Sequence, residues 1–243
     1  MKRFIFIGFL LLFILSVKAQ EAKVKYNPEY DEKPIHFGFS LGINTMDFGF
    51  KRNVTGRGPD TLYGDVSSLV PGFQVNIISD YRLGEYFNLR FLPGIAFGQR
   101  NIYFYVRNPN NLNSQINANS VHTEKLESSF LDFPLSVKYK AKRLNNYRPY
   151  LLGGINIRYD LAAKSKYDEQ SENYIILKPI NYYCEMGFGI DYYLPYFKFS
   201  TEVKLSVGLN DVLNHTPPPG NDEYVNAIKK LTSQVFMLSF HFE

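Results

Sequence analysis

Alternation of apolar and polar residues restricts the fold of this chain more than any other feature. Between Phe197 and Leu209 apolar residues occupy the odd positions and polar residues or glycine the even ones, with Thr201 as the one exception. A period of two places the two sets on opposite faces of a β-strand. Because the pattern recurs about eight times and the polar face carries charges, the chain is predicted to be all-β.

Eight strands are predicted, each with one nearly continuous apolar face. Pro93 lies within the third strand, and since proline cannot donate a ladder hydrogen bond we expect a bulge or kink there. The predicted strands span about 35–50, 69–79, 86–105, 127–140, 147–160, 179–193, 197–209 and 232–242.

The predicted connections alternate in length. They are long after the odd-numbered strands, at roughly 51–68, 106–126, 161–178 and 210–231, and short after the even-numbered ones, at about 80–85, 141–146 and 194–195. Outer-membrane barrels join their strands by short periplasmic turns and longer external loops. The pattern therefore favours an eight-stranded antiparallel up-and-down transmembrane β-barrel over a soluble sandwich or a soluble lipocalin-like binder.

The beginning of the chain has the features of a secretory signal peptide. Lys2 and Arg3 precede an apolar stretch over residues 4–17, and small residues flank Lys18. An uncleaved anchor is the alternative, but 14 residues are short of the roughly 20 that a spanning helix needs. We expect residues 1–19 to be a signal peptide, 20–34 a loose periplasmic lead-in, and 35–243 a barrel in the bacterial outer membrane, with both termini periplasmic.

A barrel of eight strands has an interior that side chains just fill. Glycines on the inward face would leave room for charged neighbours, and buried charges of both signs are tolerable only when they are paired. The sequence therefore predicts a side-chain-filled, closed lumen crossed by a salt-bridge network, which argues against a diffusion pore. The predicted network residues are Arg90, Asp132, Lys138, Glu185, Asp191, Lys198, Glu202 and Lys204.

Composition excludes several kinds of partner. Of the 27 basic residues, three lie in residues 1–19, so the rest of the chain carries 24 basic and 23 acidic residues and offers no field for nucleic acid. Cys184 is the single cysteine, and the four histidines lack metal-ligand spacing. We predict no metal site, no cofactor and no nucleic-acid partner.

One motif is shared with enzymes. Residues 38–42 match G-x-S-x-G, but hydrolase chemistry needs a sharp strand-to-helix turn at the serine, and this stretch lies in an alternating strand. His122 with Glu124, or His215 with Asp211, could supply fragments of a catalytic set, although ordinary loop polarity explains them as well. No catalytic residue is predicted, and a barrel-embedded hydrolase stays open as the least favoured alternative.

Two segments resemble the PorT family. The stretch K-P-I-H-F-G-F-S-L-G-I-N-T-M-D-F over residues 33–48 is similar to the opening of that family, and L-D-F-P-L at 131–135 to a later strand. The resemblance covers nearly the whole of the chain after residue 19. PorT proteins are outer-membrane barrels of the type IX secretion system, which exports proteins and supports gliding motility in some bacteria.

The resemblance implies a non-enzymatic secretion accessory without a catalytic set. Its partners would be outer-membrane lipid, other secretion-system subunits and the outer-membrane barrel assembly machinery, which recognises an aromatic-ended last strand such as the one reaching Phe242. A general small barrel for adhesion or envelope integrity is the alternative.

Overall fold

Ten β-strands form one antiparallel sheet that closes on itself in a computed structural model. The structure describes residues 24–52, 62–66, 69–106, 122–163, 175–216, 225 and 228–243, so the predicted signal peptide lies outside the described residues. The strands are β1 (Ile35–Arg52), β2 (Leu62–Val66), β3 (Pro71–Arg82), β4 (Phe87–Phe91), β5 (Gly94–Val106), β6 (His122–Lys140), β7 (Tyr147–Asp160), β8 (Ile180–Tyr193), β9 (Lys198–Gly208) and β10 (Ile228–Phe242). Strand β1 pairs with both β3 and β10, which closes the ring.

The ring has eight positions because two of them are each filled by two consecutive segments. Strands β4 and β5 share the neighbours β3 and β6 and replace the single third strand that the sequence predicts. Ser79 pairs with Phe91 before the proline, and Asn76 pairs with Gly94 after it. The two pairs are separated by three residues on each strand, so the register does not shift across Pro93. Of the two expected features, a bulge or a kink, the bulge is therefore wrong. The strand is interrupted at Pro93, whose carbonyl still accepts the Ile77 amide at 2.9 Å.

Strand β2 lies in a stretch that the sequence predicts to be loop. It pairs with β5 beyond the end of the β3–β5 ladder, so it extends the position of β3. Phe73 pairs with Phe97, and Val66 pairs with Ile102. Between these two pairs β5 advances by five residues, while the segment opposite it, from Phe73 back to Val66, covers seven. β2 therefore adds no ninth position, and the predicted eight-stranded antiparallel barrel is confirmed.

The two faces of the wall differ as the alternation predicts. On β3, Ile77 points outward and is 64% exposed, whereas Asp80 points inward and is 0% exposed. The outer face is apolar on every long strand, and the inner face carries most of the buried charges. No helix in the described part of the chain is long and apolar enough to cross a membrane.

The barrel has two distinct ends. The short-turn end carries the connections at 83–86, 141–146 and 194–197, and the opposite, long-loop end carries the described loop residues 175–179 and 209–216. Residues 24–34, which we call the strap, include a short 3-10 helix at Pro28–Glu32 and lie against the short-turn end. The expectation of a loose lead-in is wrong for these residues, because side chains of the barrel bind them.

Candidate functional site

The lumen collects the charged residues of the inward faces. All eight predicted network residues are buried, because each occupies an inward position of an alternating strand. Arg90 lies on β4, Asp132 and Lys138 on β6, Glu185 and Asp191 on β8, and Lys198, Glu202 and Lys204 on β9.

One group of ion pairs lies toward the short-turn end. Arg90 is 2.9 Å from Asp80, 3.2 Å from Glu202 and 3.2 Å from Glu243. Lys198 contacts the same Glu243 carboxylate at 2.9 Å. These contacts join the inward faces of three strands to the residue that follows β10.

A second pair and an aromatic ring extend this group. Lys138 binds Asp191 at 2.7 Å, and its ammonium lies 3.7 Å from the centre of the Tyr150 ring. Tyr150 in turn donates a hydrogen bond of 2.8 Å to Glu202, next to Arg90. The Arg90 guanidinium also lies 5.6 Å from the centre of the Tyr150 ring, so cation–π contacts with one ring stabilise both cations.

A second group of ion pairs is centred on Arg158. Its Nε is 3.0 Å from Asp132, and its Nη2 is 3.3 Å from Glu185. Glu185 also binds Lys204 at 3.0 Å. The predicted residues therefore divide between two clusters, and each cluster depends on an arginine that contacts more than one carboxylate.

Several lumen residues are absent from the predicted set. Arg158 follows the inward alternation of β7 and could have been included on that signal alone. Asp80 and Glu243 each lie one residue beyond the end of a predicted strand, where alternation gives the weakest information. The other buried charged residues that the structure adds on the inward faces are Arg100, Glu124, Lys140, Arg148 and Asp160.

The long-loop end of the lumen is closed by apolar side chains. Residues 175–178 and 211–214, which we call the lid, fold into the mouth of the barrel. Lys178 donates its amide to Val212 at 2.8 Å, and Asn214 donates to Ile176 at 2.9 Å. The lid packs in one buried apolar cluster with the upper ends of the strands, formed by Phe48, Ile102, Phe104, Leu126, Ile175, Leu177, Val212, Leu213, Val225, Ile228 and Leu231.

Asp211 holds the lid in shape. Its Oδ1 accepts the amides of Leu213 and Leu231, both at 3.1 Å, and its Oδ2 lies 2.8 Å from His215 Nε2. Partial burial raises the pKa of Asp211, but the hydrogen bonds from His215, Leu231 and Leu213 outweigh it and lower the pKa. The structure thus brings His215 and Asp211 together at a loop anchor, while the side chain of His122 lies outside the described residues.

The short-turn end is closed by the strap through polar contacts. Asp31 accepts a hydrogen bond of 2.7 Å from Tyr193 and pairs with Arg148 at 3.1 Å and Arg143 at 3.5 Å. Burial alone raises the pKa of Asp31, but the Tyr193 hydrogen bond and the charges of Arg148, Lys140 and Arg143 hold it below the ordinary 3.8. At neutral pH the carboxylate is therefore ionised and clamped.

Further contacts of the strap are to its main chain. Asn146 accepts the amide of Tyr26 and donates to the carbonyl of Val24, both at 2.9 Å. Tyr30 donates to Glu243 at 3.1 Å, which ties the strap to the ion pairs of the lumen. Burial raises the pKa of Tyr30 far above its ordinary 10.0, so its hydroxyl stays protonated.

The enzyme-like motif lies inside the wall. Ser40 is on β1, faces the lumen and is 1% exposed, and β1 continues as a strand for twelve residues beyond it. The strand-to-helix turn that exposes a hydrolase serine is therefore missing at Ser40. Within the described ranges, no three His, Cys, Asp or Glu residues stand where they could hold a metal ion.

Comparison with protein families gives the class of this barrel. The model described as "Outer membrane protein beta-barrel domain" matches residues 4–214. This chain belongs to that family. As an outer-membrane barrel it sits in a lipid bilayer, and its apolar outer face meets the lipid.

Solved outer-membrane proteins are also similar to this chain. Neisserial surface protein A is 11% identical, with 86% of this chain and 98% of that chain covered and a TM-score of 0.42. OprG from Pseudomonas aeruginosa is 13% identical, with 86% and 95% covered and a TM-score of 0.44. Ail, the attachment invasion locus protein of Yersinia pestis, is 11% identical, with 86% and 98% covered and a TM-score of 0.38. Among curated proteins no sequence matches.

Proposed function

We propose that this protein is a non-enzymatic, PorT-like component of the type IX secretion machinery that assists export of proteins to the cell surface. The resemblance of residues 33–48 to the opening of PorT proteins points to this system. The closed lumen is the observation that supports the proposed mode of action. A barrel filled by ion pairs, with a lid at one end and a strap at the other, is suited to holding partners and offers no path for cargo.

The orientation belongs to the same proposal. Short turns characterise the periplasmic end of outer-membrane barrels, so the strap and both chain ends would face the periplasm once residues 1–19 are removed. Phe240 and Phe242 on the outer face of β10 would serve recognition by the barrel assembly machinery. Other secretion subunits would then meet the strap and the turns at 83–86, 141–146 and 194–197.

Gene deletion in the native bacterium tests the role. We expect surface delivery of type IX cargo to stop, while periplasmic marker enzymes stay inside the cell and detergent resistance is unchanged. Normal cargo export with altered surface binding or detergent sensitivity would overturn the proposal and favour the adhesion or envelope-integrity alternative.

Complementation with variants then tests the mode of action. The double variant Lys142→Glu with Glu85→Lys changes exposed charges at the short-turn end, and we expect it to assemble normally but to export poorly. The double variant Lys125→Glu with Glu127→Lys makes the same charge exchange at exposed positions of β6 toward the long-loop end, so it is the matched control and should restore export. Equal export by both variants would contradict contact through the short-turn end.

A further inference from the structure

The middle of the lumen contains a small cavity against the inner face of β1. It has a volume of about 10 Å³ and is lined mostly by polar side chains from β1, β3, β6, β9 and β10, among them Ser40, Gln74, Glu202 and His241. Ser40 is paired directly with His241 across the seam that closes the ring. Gly42 helps to leave this space, because a Cβ there would come within 3.0 Å of Gln74 Nε2 and Ser239 Oγ.

Five polar atoms of the lining side chains lack a hydrogen-bond partner in the described chain. Two of them, Asp132 Oδ1 and His241 Nε2, still lie against a charged group, of Arg158 and of Glu202, and the other three have no partner of either kind. These three atoms are Ser40 Oγ, Gln74 Oε1 and His241 Nδ1, and their residues are only 1%, 4% and 2% exposed. The other amide atom of Gln74 does donate, to Ser239 Oγ at 2.9 Å. A buried polar atom that bonds to nothing costs about 1–3 kcal/mol, so three around one cavity point to a shared ligand.

The charges around the cavity are already matched. Glu202 is paired with Arg90, Asp132 with Arg158, and Lys204 with Glu185. The ligand is therefore expected to be neutral, and it must both accept and donate hydrogen bonds. A cavity of about 10 Å³ admits one water molecule and nothing larger.

We propose that one ordered water molecule is bound here and bridges the closing seam of the barrel. It accepts a hydrogen bond from the Ser40 hydroxyl, donates one to Gln74 Oε1, and takes either role toward the imidazole of His241. The water thereby links β1, β3 and β10 on their inner faces, at the level where Gly42 leaves no side chain to do so.

Serine, histidine and a carboxylate also form the catalytic set of a serine hydrolase, but their geometry here differs from that of such a set. His241 Nε2 lies 3.3 Å from Glu202 Oε2, without the geometry of a hydrogen bond. Ser40 Oγ makes no hydrogen bond to His241, and the cavity has no room for an acyl group. A nucleophilic serine needs a hydrogen bond to its base and space for the acyl group. Ser40, Gln74 and His241 therefore form a water site.

Magnetic resonance of the full-length protein in lipid nanodiscs tests the site. With labelled histidine, we expect a cross-peak between water and the His241 ring of the sign that marks a long-lived buried water. Ser40→Val removes the hydroxyl and fills the cavity, so the cross-peak should be lost. Ser136→Ala removes another inward hydroxyl outside the cavity lining and should leave the cross-peak intact.

Other outcomes would overturn the proposal. One is that the unmodified protein shows no cross-peak between water and His241. Another is that this cross-peak is present and persists in Ser40→Val. If Ser40→Val does not fold, Gln74→Leu gives the same test because it removes the acceptor and occupies the space. Labelling of Ser40 by a fluorophosphonate would also overturn it, since that reaction requires an activated and accessible hydroxyl.

Discussion

The lid at the long-loop end and the strap at the short-turn end both cover the lumen, but different interactions hold them. The lid is held by buried apolar side chains, with Leu213 0% and Val212 1% exposed. The strap contributes one clamped carboxylate, Asp31, and a series of main-chain hydrogen bonds. The apolar packing of the lid should therefore be insensitive to salt, whereas the strap should respond to both salt and pH. Between them lie buried ion pairs, where removal of one partner has the largest effect.

The largest loss of stability is expected for Arg90→Ala. It leaves Asp80, Glu202 and Glu243 without their common cation, and removing one partner of a buried ion pair costs about 3–5 kcal/mol. Urea unfolding in lipid vesicles measures the loss. Arg82→Ala is the control, because within the described residues the Arg82 side chain binds the carbonyls of Glu32 and Gly84 and no carboxylate. Similar losses for both variants would show that the ion pairs contribute little.

The next largest loss of stability is expected for Leu213→Ala in the lid. A fully buried leucine truncated to alanine costs about 2–5 kcal/mol through lost burial and the cavity left behind. We expect the loss to be the same at low and high salt. Leu209→Ala, at a position 59% exposed, is the comparison and should cost much less; a salt-dependent loss in Leu213→Ala would contradict closure by apolar packing.

Asp31→Asn should release the strap at a cost of roughly 1 kcal/mol, since the group is partly exposed and solvent screens it. Cys184 is the single cysteine, so Cys184→Ser gives a background in which Val24→Cys, at a site 76% exposed, carries a fluorescent label. Label mobility should rise in Asp31→Asn. Glu29→Gln removes a neighbouring charge of the same 3-10 helix and should leave the strap docked.

The smallest expected effects are those of pH and salt on the docking of the strap. The lowered pKa of Asp31 means that its contribution is complete above its ordinary value of 3.8 and is lost as the pH falls through the lowered value. The same label should therefore stay immobile from neutral pH down to about pH 5 and become mobile only in stronger acid. Salt near 1 M, where the screening length is about 3 Å, should loosen the strap and leave the lid unchanged.

The sequence predicts the wall well because alternation is a local signal. Each strand must show lipid one face and the lumen the other, so the period of two recurs along every long strand, and the predicted 147–160 coincides with β7. Strand ends carry no such constraint. β10 begins at Ile228 and not near 232, and β2 was missed because its five residues lie within a polar stretch.

The candidate site was predictable in its composition but not in its pairing. Inward positions of the strands identify Arg90 or Glu202 without any coordinates. Which carboxylate meets which cation depends on register and on side chains reaching across the lumen, such as Arg90 to Glu202. The strap and the lid could not be predicted, because their contacts join residues more than a hundred positions apart, as Asp31 with Arg148, or link two irregular loops.

The ionic inner face of β9 has a consequence for assembly. A slip of one residue against β8 or β10 would turn Lys198, Glu202 and Lys204 toward the hydrocarbon, because neighbouring side chains point to opposite sides. A cation on the lipid side costs about 2–4 kcal/mol near the bilayer centre and less toward the interfaces. The misaligned ring would therefore lose its ion pairs and incur most of that penalty at Lys204, with less at Lys198, the first residue of the strand. The charges in the lumen thus favour the correct alignment of β9 with its neighbours.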